Sequence, residues 1–233
     1  ERTMSGSRAV VFDLDDTLYP ERSYVRSGFA AVGDWIERRL GLPAGEVASE
    51  LRDLHEAGAR GDTFDRWLER RGLGASGLVA PMVEAYRSHR PAIRPFDEAP
   101  GLLDRLGGPF RLGLVTDGYR EVQRLKLEAL GLEGRFDAVV LSDELGREAW
   151  KPSPRPFEAV LGRLGVRARD AAYVADNPMK DFVAPRALGM RTVRVRWPGG
   201  YHAADLPPSP DHAPDGTVEE FGALEELLME RWP

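Results

Sequence analysis

Three aspartates crowd the end of an apolar run early in the chain. The run Ala9 to Phe12 reads as a strand buried on both faces, and Asp13, Asp15 and Asp16 follow it. Alternate side chains of an extended backbone point the same way, so we expect Asp13 and Asp15 to converge on one ligand. A hard divalent cation such as Mg²⁺ prefers oxygen ligands and would relieve their repulsion. An ordinary turn with a helix cap fits the same residues.

A hydroxyl and a glycine follow the second apolar run. Thr116 closes this run, and Asp117, Gly118 and the start of a predicted helix come next. A hydroxyl and backbone N–H groups in this position suit the binding of a phosphate oxygen. Taken alone, Thr116 also fits a helix cap.

A lysine and two further aspartates follow later strands. Lys151 precedes Pro152, which disfavours an early helix and favours an extended backbone from which the ammonium reaches toward the strand ends. Asp176 ends the fourth apolar run, and Asp181 follows five positions later. Each residue has an ordinary alternative, because surface lysines are usually solvated and aspartates often cap helices. Acids, a hydroxyl and a lysine at four strand ends favour a shared site over coincidence.

Short β-branched runs alternate with helical patterns, which is typical of an α/β protein. Parallel strands joined by helical crossovers predict a Rossmann-like, three-layer fold around a parallel sheet. The five predicted strands are Ala9 to Phe12, Leu112 to Val115, Ala138 to Leu141, Ala171 to Ala175 and Thr192 to Val195. Helical spacing predicts further helices around Val122 and Leu125, over Phe157 to Leu164, and over Phe221 to Leu228.

The segment between the first two strands has helical periodicity throughout. Four amphipathic helices separated by Pro and Gly are predicted there, so residues 20–94 read as an inserted helical-bundle cap. The catalytic core is then formed by residues 1–19 together with 95–233. An insertion after a strand's carboxyl end belongs near the ligand site of an open α/β sheet, so it is expected to act as a lid. A subdomain that only adds stability is the alternative.

Composition narrows the possible partners. The 233 residues are 42% hydrophobic, carry a net charge of −6 and include no cysteine. The chain has no excess of positive charge that would favour binding to nucleic acid or to a membrane surface. Without cysteine, a thiolate nucleophile or a zinc–thiolate site is excluded. The stretch ERTMSGSR shows no signal-peptide pattern, so a cytoplasmic protein is expected. A monomer and a homodimer fit the composition equally. The Pro/Gly-rich segment 197–216 is predicted to be a surface loop.

The ordered groups resemble the four motifs of the haloacid dehalogenase (HAD) superfamily. The resemblance spans residues 8 to about 196, and the insertion is similar to the branch with a helical cap. Two mild departures are Asp117, where many relatives have asparagine, and Ala175, where glycine is more usual. The four motifs are Asp13-Leu14-Asp15-Asp16-Thr17, Thr116, Lys151-Pro152, and Asp176 with Asp181.

The resemblance implies a role for each motif in phosphate-ester hydrolysis. Asp13 would be the nucleophile that forms an aspartyl-phosphate, and Asp15 would be the acid and base that carries the proton. Thr116 and Lys151 would bind the phosphoryl oxygens. Magnesium would be held by Asp13, the backbone carbonyl of Asp15, Asp176 and, directly or through water, Asp181. Asp117, Gly118, Tyr19 and Asn177 are expected to assist in binding.

Single residues distinguish phosphate hydrolysis from two related reactions of the family. Relatives that displace halide lack an acid at the position of Asp15, so dehalogenation is disfavoured. Phosphonate cleavage in the family uses a cap lysine, and the segment from Glu21 to Arg94 has none. A phosphomutase that uses the same aspartyl-phosphate and a binding module without turnover stay open.

A small phosphorylated metabolite is the expected substrate, because a closing helical lid favours small molecules over phosphoproteins. Candidate contacts in and near the insertion are Tyr19, Arg22, Tyr24, Arg26, Trp67, Tyr86 and His89, and on the core Tyr119 and Arg120. Trp67 and Tyr86 also fit the apolar core of the insertion.

Overall fold

Residues 8–230 are described by a computed structural model of the chain. The stretch ERTMSGS, part of the region in which no signal peptide is predicted, lies outside the described residues. Contacts between Cα atoms divide the chain into a core unit, residues 1–21 with 94–233, and a helical unit, residues 22–93.

A six-stranded, wholly parallel sheet organises the described part of the core unit. Its order is β3-β2-β1-β4-β5-β6, so the strand order reverses between β1 and β4. Phe12 pairs with Leu114 on one side and Val174 on the other, which brings the carboxyl ends of three strands to one level. The strands are β1 (Ala9–Phe12), β2 (Arg111–Thr116), β3 (Ala138–Leu141), β4 (Ala171–Ala175), β5 (Arg191–Val195) and β6 (Gly216–Val218).

Helices cover the sheet, which confirms the predicted α/β class. One face packs β-branched and aromatic side chains, among them Val11, Val115 and Tyr173, against apolar residues of α7 such as Phe157 and Val160. The core helices are α5 (Ala99–Leu106), α6 (Arg120–Leu130), α7 (Arg155–Leu164), α8 (Val183–Leu188) and α9 (Phe221–Glu230). No helix of the described residues is both long and apolar enough to cross a bilayer.

Gly113 allows α7 to pack closely on the sheet. A Cβ atom at this position of β2 would lie 2.9 Å from Val160 Cγ2 and 3.2 Å from Val11 Cγ2. Since neither neighbour can move without disturbing the packed layer, only glycine fits at this position without strain.

The helical unit contains the four amphipathic helices that the spacing predicts. Their buried faces include Val32 and Ile36 of α1 and Trp67 of α3, all at most 1% exposed. Leu40, predicted on the buried face, is 40% exposed because it is the last residue of its helix. The helices are α1 (Glu21–Leu40), which begins in the core unit, α2 (Ala44–Glu56), α3 (Thr63–Arg70) and α4 (Val79–Ser88).

Three elements of the core were not predicted, and each is short. Strand β6 has three residues at the end of the Pro/Gly-rich segment 197–216, too few to show a period. Helices α5 and α8 have only eight and six residues and contain Pro100 and Pro185, respectively. Because proline usually marks the end of a helix, these segments were not recognised as helical.

Candidate active site

Three strand ends place their polar groups at the edge where the strand order reverses. Asp13 follows β1, Thr116 ends β2, and Asp176 follows β4. The backbone N–H of Asp13 donates to the carbonyl of Val174 at 2.9 Å, which extends the β1–β4 ladder up to the predicted nucleophile. In open α/β sheets this crevice is where ligands bind.

Three buried carboxylates meet in this crevice. Oxygens of Asp13, Asp176 and Asp181 all lie within 4.8 Å of one another. Burial raises the pKa of Asp13 to about 7, with the charge of Asp181 adding to the effect and Lys151 opposing it. Burial, with the charges of Asp181 and Asp13, also raises the pKa of Asp176 well above its ordinary value. The cluster therefore favours a bound cation, and its oxygen donors fit Mg²⁺.

The Lys151 ammonium lies inside the cluster and is fully buried. Its Nζ atom is 2.7 Å from Asp13 Oδ1, 2.8 Å from Asp181 Oδ1 and 2.9 Å from the Tyr173 hydroxyl. Burial opposes its charge, but the carboxylates of Asp13 and Asp181 raise the pKa of Lys151 well above its usual range. The lysine is therefore a fixed positive charge beside the predicted nucleophile.

Asp15 lies apart from the three-carboxylate cluster, in a polar pocket of its own. Lys126 Nζ is 2.6 Å from Asp15 Oδ1, Gln123 Nε2 donates to Oδ2 at 3.1 Å, and the Tyr19 hydroxyl donates to Oδ1. Burial acts against ionisation, but the Lys126 charge and these hydrogen bonds lower the pKa of Asp15. Its side chain therefore does not join the metal cluster, and its predicted metal contact remains that of its backbone carbonyl.

The distribution of protons between the two aspartates differs from the sequence-based expectation. Asp15 is expected to carry the proton and Asp13 to be ionised. Without a cation the pKa of Asp13 is raised and that of Asp15 is lowered. The two pKa values differ because Asp13 lies beside two other carboxylates, Asp176 and Asp181, whereas Asp15 pairs with the positive charge of Lys126.

Thr116 and its neighbours form the predicted phosphate corner. The Thr116 side chain is fully buried, and its Oγ1 accepts a hydrogen bond from Gln123 Nε2 at 2.5 Å. Both carboxylate oxygens of Asp117 accept from the backbone N–H of Lys151, at 3.2 and 3.1 Å. Gly118 has a φ of 127°, a conformation that L side chains rarely adopt. Asp117 thus joins the second motif to the third.

Tyr19 lies under the site rather than on its surface. The side chain is fully buried, and its hydroxyl is engaged by Asp15. This placement supports a positioning role for Tyr19 and gives no support to the predicted substrate contact.

The segment that follows β5 is the surface loop that its Pro/Gly content predicts, and it is also tied to the first motif. Asp16 accepts backbone N–H bonds from Glu21 and Tyr201, both at 2.8 Å, and Trp197 Nε1 donates to the carbonyl of Thr17 at 3.0 Å. Composition did not reveal this, because Pro/Gly content predicts a loop but not what the loop packs against.

Asn177, the predicted helper of the fourth motif, is buried and held on both sides. Its backbone N–H donates to Asp181 Oδ2 at 3.0 Å, and its Nδ2 lies 2.9 Å from His202 Nε2. This places Asn177 as a support for Asp181.

The predicted substrate contacts divide into packed and exposed side chains. Trp67 is 1% exposed and donates to Glu50 at 2.7 Å, so it belongs to the core of the helical unit. Tyr86 contacts Tyr24 and His89 through ring centroids 5.6 and 6.0 Å apart. Arg22 is half-buried, whereas Arg26 and Arg120 are exposed. Tyr119 is half-buried and stacks edge-on against Trp150.

Four polar residues of the site were missed by sequence reasoning. Gln123 and Lys126 share the inward face of α6 with Leu127 and Leu130, so polar residues at buried helical spacing were the available signal. Tyr173 lies within β4 and reads as core. Lys180, whose Nζ is 3.3 Å from Asp117 Oδ2, is one residue from Asp181 and had no separate signal.

Known proteins resemble this chain in sequence. A family model described as haloacid dehalogenase-like hydrolase matches residues 7–189. Glyceraldehyde 3-phosphate phosphatase of Methanopyrus kandleri is 36% identical over an alignment that covers 96% of this chain and 97% of that protein. Phosphoserine phosphatase of Thermus thermophilus is 35% identical over 71% of this chain and 62% of that protein.

A solved structure shares the fold. The 2-haloacid dehalogenase of Pseudomonas syringae pv. Tomato matches with a TM-score of 0.65 at 26% identity, covering 97% of this chain and 100% of that one.

Proposed function

This chain belongs to the haloacid dehalogenase-like hydrolase family and hydrolyses phosphate monoesters, and we propose that it is a magnesium-dependent phosphatase acting through an aspartyl-phosphate on Asp13. The observation that carries this proposal is the contact between Lys151 Nζ and Asp13 Oδ1, at 2.7 Å inside a buried cluster of acids. A nucleophilic carboxylate needs such a neighbouring charge when a phosphate dianion approaches it.

The proposed reaction has two steps. In the first, a carboxylate oxygen of Asp13 attacks phosphorus, the ester P–O bond breaks, and Asp15 gives its proton to the leaving alkoxide. In the second, water attacks the phosphorus of the aspartyl-phosphate, Asp15 takes up the water's proton, and inorganic phosphate leaves with Asp13 restored. Thr116 and the backbone N–H groups of Asp117 and Gly118 bind the phosphoryl oxygens, while Lys151 offsets charge beside Asp13.

Mg²⁺ fits the residues available. Asp13 and Asp176 would hold it, with the backbone carbonyl of Asp15 and, directly or through water, Asp181. When bound, the ion neutralises part of the charge of the phosphoryl group and its neighbouring carboxylates. The raised pKa values of Asp13 and Asp176 support this assignment, because burial and neighbouring carboxylates disfavour their ionised forms and a bound cation would offset this cost.

Asp15 favours phosphate esters over organic halides. A halide leaves without a proton, so dehalogenation has no use for an acid two residues after the nucleophile. The hydrogen bonds that Asp15 receives from Gln123 and Tyr19 support a positioned proton carrier. The fold shared with a dehalogenase therefore does not extend to its chemistry.

A small phosphorylated metabolite is the proposed substrate. Two of the relatives are named for glyceraldehyde 3-phosphate and phosphoserine, each a three-carbon phosphate ester. The helical unit, residues 22–93, is proposed to be the cap that selects the leaving group. Its predicted bounds, 20–94, lie within two residues of this unit.

Release of inorganic phosphate tests the proposal. We expect the purified chain to release phosphate from members of a panel of small phosphate esters with Mg²⁺ and to lose this activity when EDTA is added. Asp13→Asn is expected to lower kcat by at least about a thousandfold, as for the loss of other enzymic nucleophiles. Asp104→Asn, at a position 66% exposed, is the matched control and should retain full activity.

Two outcomes would contradict the proposal. Undiminished turnover in Asp13→Asn would exclude the aspartyl-phosphate. Conversion of a substrate into an isomeric phosphate, with no release of inorganic phosphate, would identify a phosphomutase instead.

A further inference from the structure

Lysine is almost absent from this chain except at the active site. Of 32 basic residues, 29 are arginine, and the three lysines are Lys126, Lys151 and Lys180. Each lies against a carboxylate of the site, namely Asp15 at 2.6 Å, Asp13 at 2.7 Å and Asp117 at 3.3 Å. Lysine differs from arginine in offering a compact charge with three rotatable donors. Such a restricted use indicates that all three ammonium groups serve the chemistry.

The other two lysines are buried against protein groups. An ammonium group has three hydrogens to donate. The partners of Lys151 number three, Asp13, Asp181 and Tyr173, and its side chain is fully buried. Lys151 therefore cannot contact a substrate oxygen without giving up or sharing a partner. Lys126 pairs with Asp15, and its side chain is only 6% exposed.

Lys180 is more exposed than the other two lysines, and it has fewer partners than Lys151. Its side chain is 35% exposed, and within residues 8–230 its ammonium has Asp117 as its one hydrogen-bonding or ion-pairing partner. The bond to Asp117 is long at 3.3 Å, and both oxygens of Asp117 already accept the Lys151 backbone N–H. Donor capacity therefore remains on Lys180 at the corner formed by Thr116, Asp117 and Gly118.

We propose that Lys180 is a second phosphoryl-binding residue, whose Nζ donates to a non-bridging oxygen of the substrate phosphate beside Asp117. The proposal rests on the proposed phosphatase function and adds a contact that the four motifs do not supply.

The charge of the site supports this role. A phosphate dianion must enter next to Asp13, Asp176 and Asp181, whose carboxylates already share one buried cluster. Burial and the Lys151 charge oppose ionisation of Lys180, but Asp181, Asp117 and Asp13 raise its pKa, so the side chain stays cationic at neutral pH. It lies close enough to the nucleophile to interact with its charge.

Equilibrium binding of inorganic phosphate tests the proposal without turnover. Isothermal titration of phosphate into the Mg²⁺-loaded protein is expected to show binding at least about tenfold weaker in Lys180→Met than in the wild type, the usual size of one charged hydrogen bond. The competitive Ki of phosphate should rise by the same factor. Lys180→Arg keeps the charge and should lose less.

Arg167→Met is the matched control. Its side chain is 61% exposed, pairs with Asp170 and precedes the amino end of β4, so phosphate binding should stay within about twofold. A purely structural Lys180 would lower kcat and Tm in Lys180→Met through Asp117 while leaving phosphate affinity unchanged, and this result would overturn the proposal.

The experiments distinguish failure of the proposed phosphatase function from failure of the proposed role of Lys180. A wild type that releases no phosphate from any ester contradicts the phosphatase function. A wild type that is active, with Lys180→Met unchanged in phosphate affinity, contradicts only the role of Lys180.

Discussion

At the scale of single residues, the site separates two aspartates that are two positions apart in sequence. Asp13 lies with Asp176, Asp181 and Lys151, whereas Asp15 is held by Lys126, Gln123 and Tyr19. Different surroundings give the two carboxyl groups different proton affinities, which is how paired acids acquire different roles. Without a cation these contacts raise the pKa of Asp13 and lower that of Asp15, so the proposed roles, an ionised nucleophile and a protonated acid, require a cation at Asp13 to reverse this order.

The proton-carrying role of Asp15 predicts a dependence on the leaving group. Asp15→Asn should lower the release of alcohol from alkyl phosphates by at least about a hundredfold, within the usual contribution of general acid catalysis. In the first turnover, release of p-nitrophenolate should fall far less, because this group leaves without a proton. Rapid-quench kinetics should then show one equivalent of p-nitrophenolate in a burst, followed by slow turnover, since the second step lacks its base. Equal losses on both substrates in the first turnover would contradict the role.

Lys126 predicts a shift in the pH profile. Removing its charge in Lys126→Met should raise the pKa of Asp15, which Lys126 now lowers. The limb of the kcat/KM profile that reports Asp15 should therefore move to higher pH by about one unit, equivalent to about 1.4 kcal/mol. Arg124→Met, two residues earlier on the exposed side of α6 and paired with Glu144, should leave the profile in place. An unshifted profile in Lys126→Met would exclude this coupling.

Among the site residues, those visible in the sequence were the ones at strand ends. The predicted residues Asp13, Thr116 and Asp176 end or directly follow short buried runs, so their place was readable from the hydrophobic pattern. Lys151 lies further along, in the connection after β3, and was recognised by its place next to Pro152. Gln123 and Lys126 were missed because a helix face is usually read from its apolar members. Burying these two polar groups is compensated by Asp15, a partner more than 100 positions away that local pattern cannot show.

At the scale of elements, parallel strands with continuous apolar runs were predicted almost to the residue. Runs such as Ala138–Leu141 and Ala171–Ala175 are buried almost throughout, so composition and structure coincide. The short elements β6, α5 and α8 depend on tertiary contacts instead. The hydrophobic pattern of a segment predicts its structure poorly where the segment is stabilised mainly by packing against distant parts of the chain.

The turn after β1 is an element whose stability can be measured. Asp16 has a φ of 48°, and its carboxylate holds Glu21 and Tyr201 by their N–H groups. Asp16→Ala should lower the free energy of unfolding by about 2–4 kcal/mol, since alanine is strained at positive φ and two hydrogen bonds are lost. Urea denaturation measures this loss.

Asp16→Asn is the control for that turn. Asparagine tolerates a left-handed backbone and keeps one acceptor oxygen, so it should lose less than half as much stability. Equal stability of all three proteins would show that the turn is held by other contacts.

At the scale of the whole molecule, the buried acids link stability to pH and to the metal. Burial raises the pKa of Asp13 to about 7 and that of Glu21 to about 8. In the unfolded chain both groups ionise near pH 4. The folded protein therefore binds more protons between these values, and its free energy of unfolding falls as pH rises through that range.

Thermal melting at two pH values checks this linkage. Without divalent cations, Tm at about pH 8.5 should be at least about 3 °C below Tm at about pH 6.5, the shift that about 1 kcal/mol produces in a chain of this size. Mg²⁺ should raise Tm more at the higher pH, because protons compete with the metal for the same oxygens. Asp13→Asn should weaken both effects. A Tm that rises with pH in the absence of metal would contradict the linkage.

The scarcity of lysine has a practical consequence for amine chemistry. A succinimidyl ester acylates accessible, unprotonated amines, and the exposed fractions of the three lysine side chains are 6%, 0% and 35% for Lys126, Lys151 and Lys180. Peptide mass mapping should therefore find one dominant modified lysine, Lys180, and saturating orthophosphate should slow its labelling. The rate of labelling would then report occupancy of the catalytic crevice without any engineered cysteine.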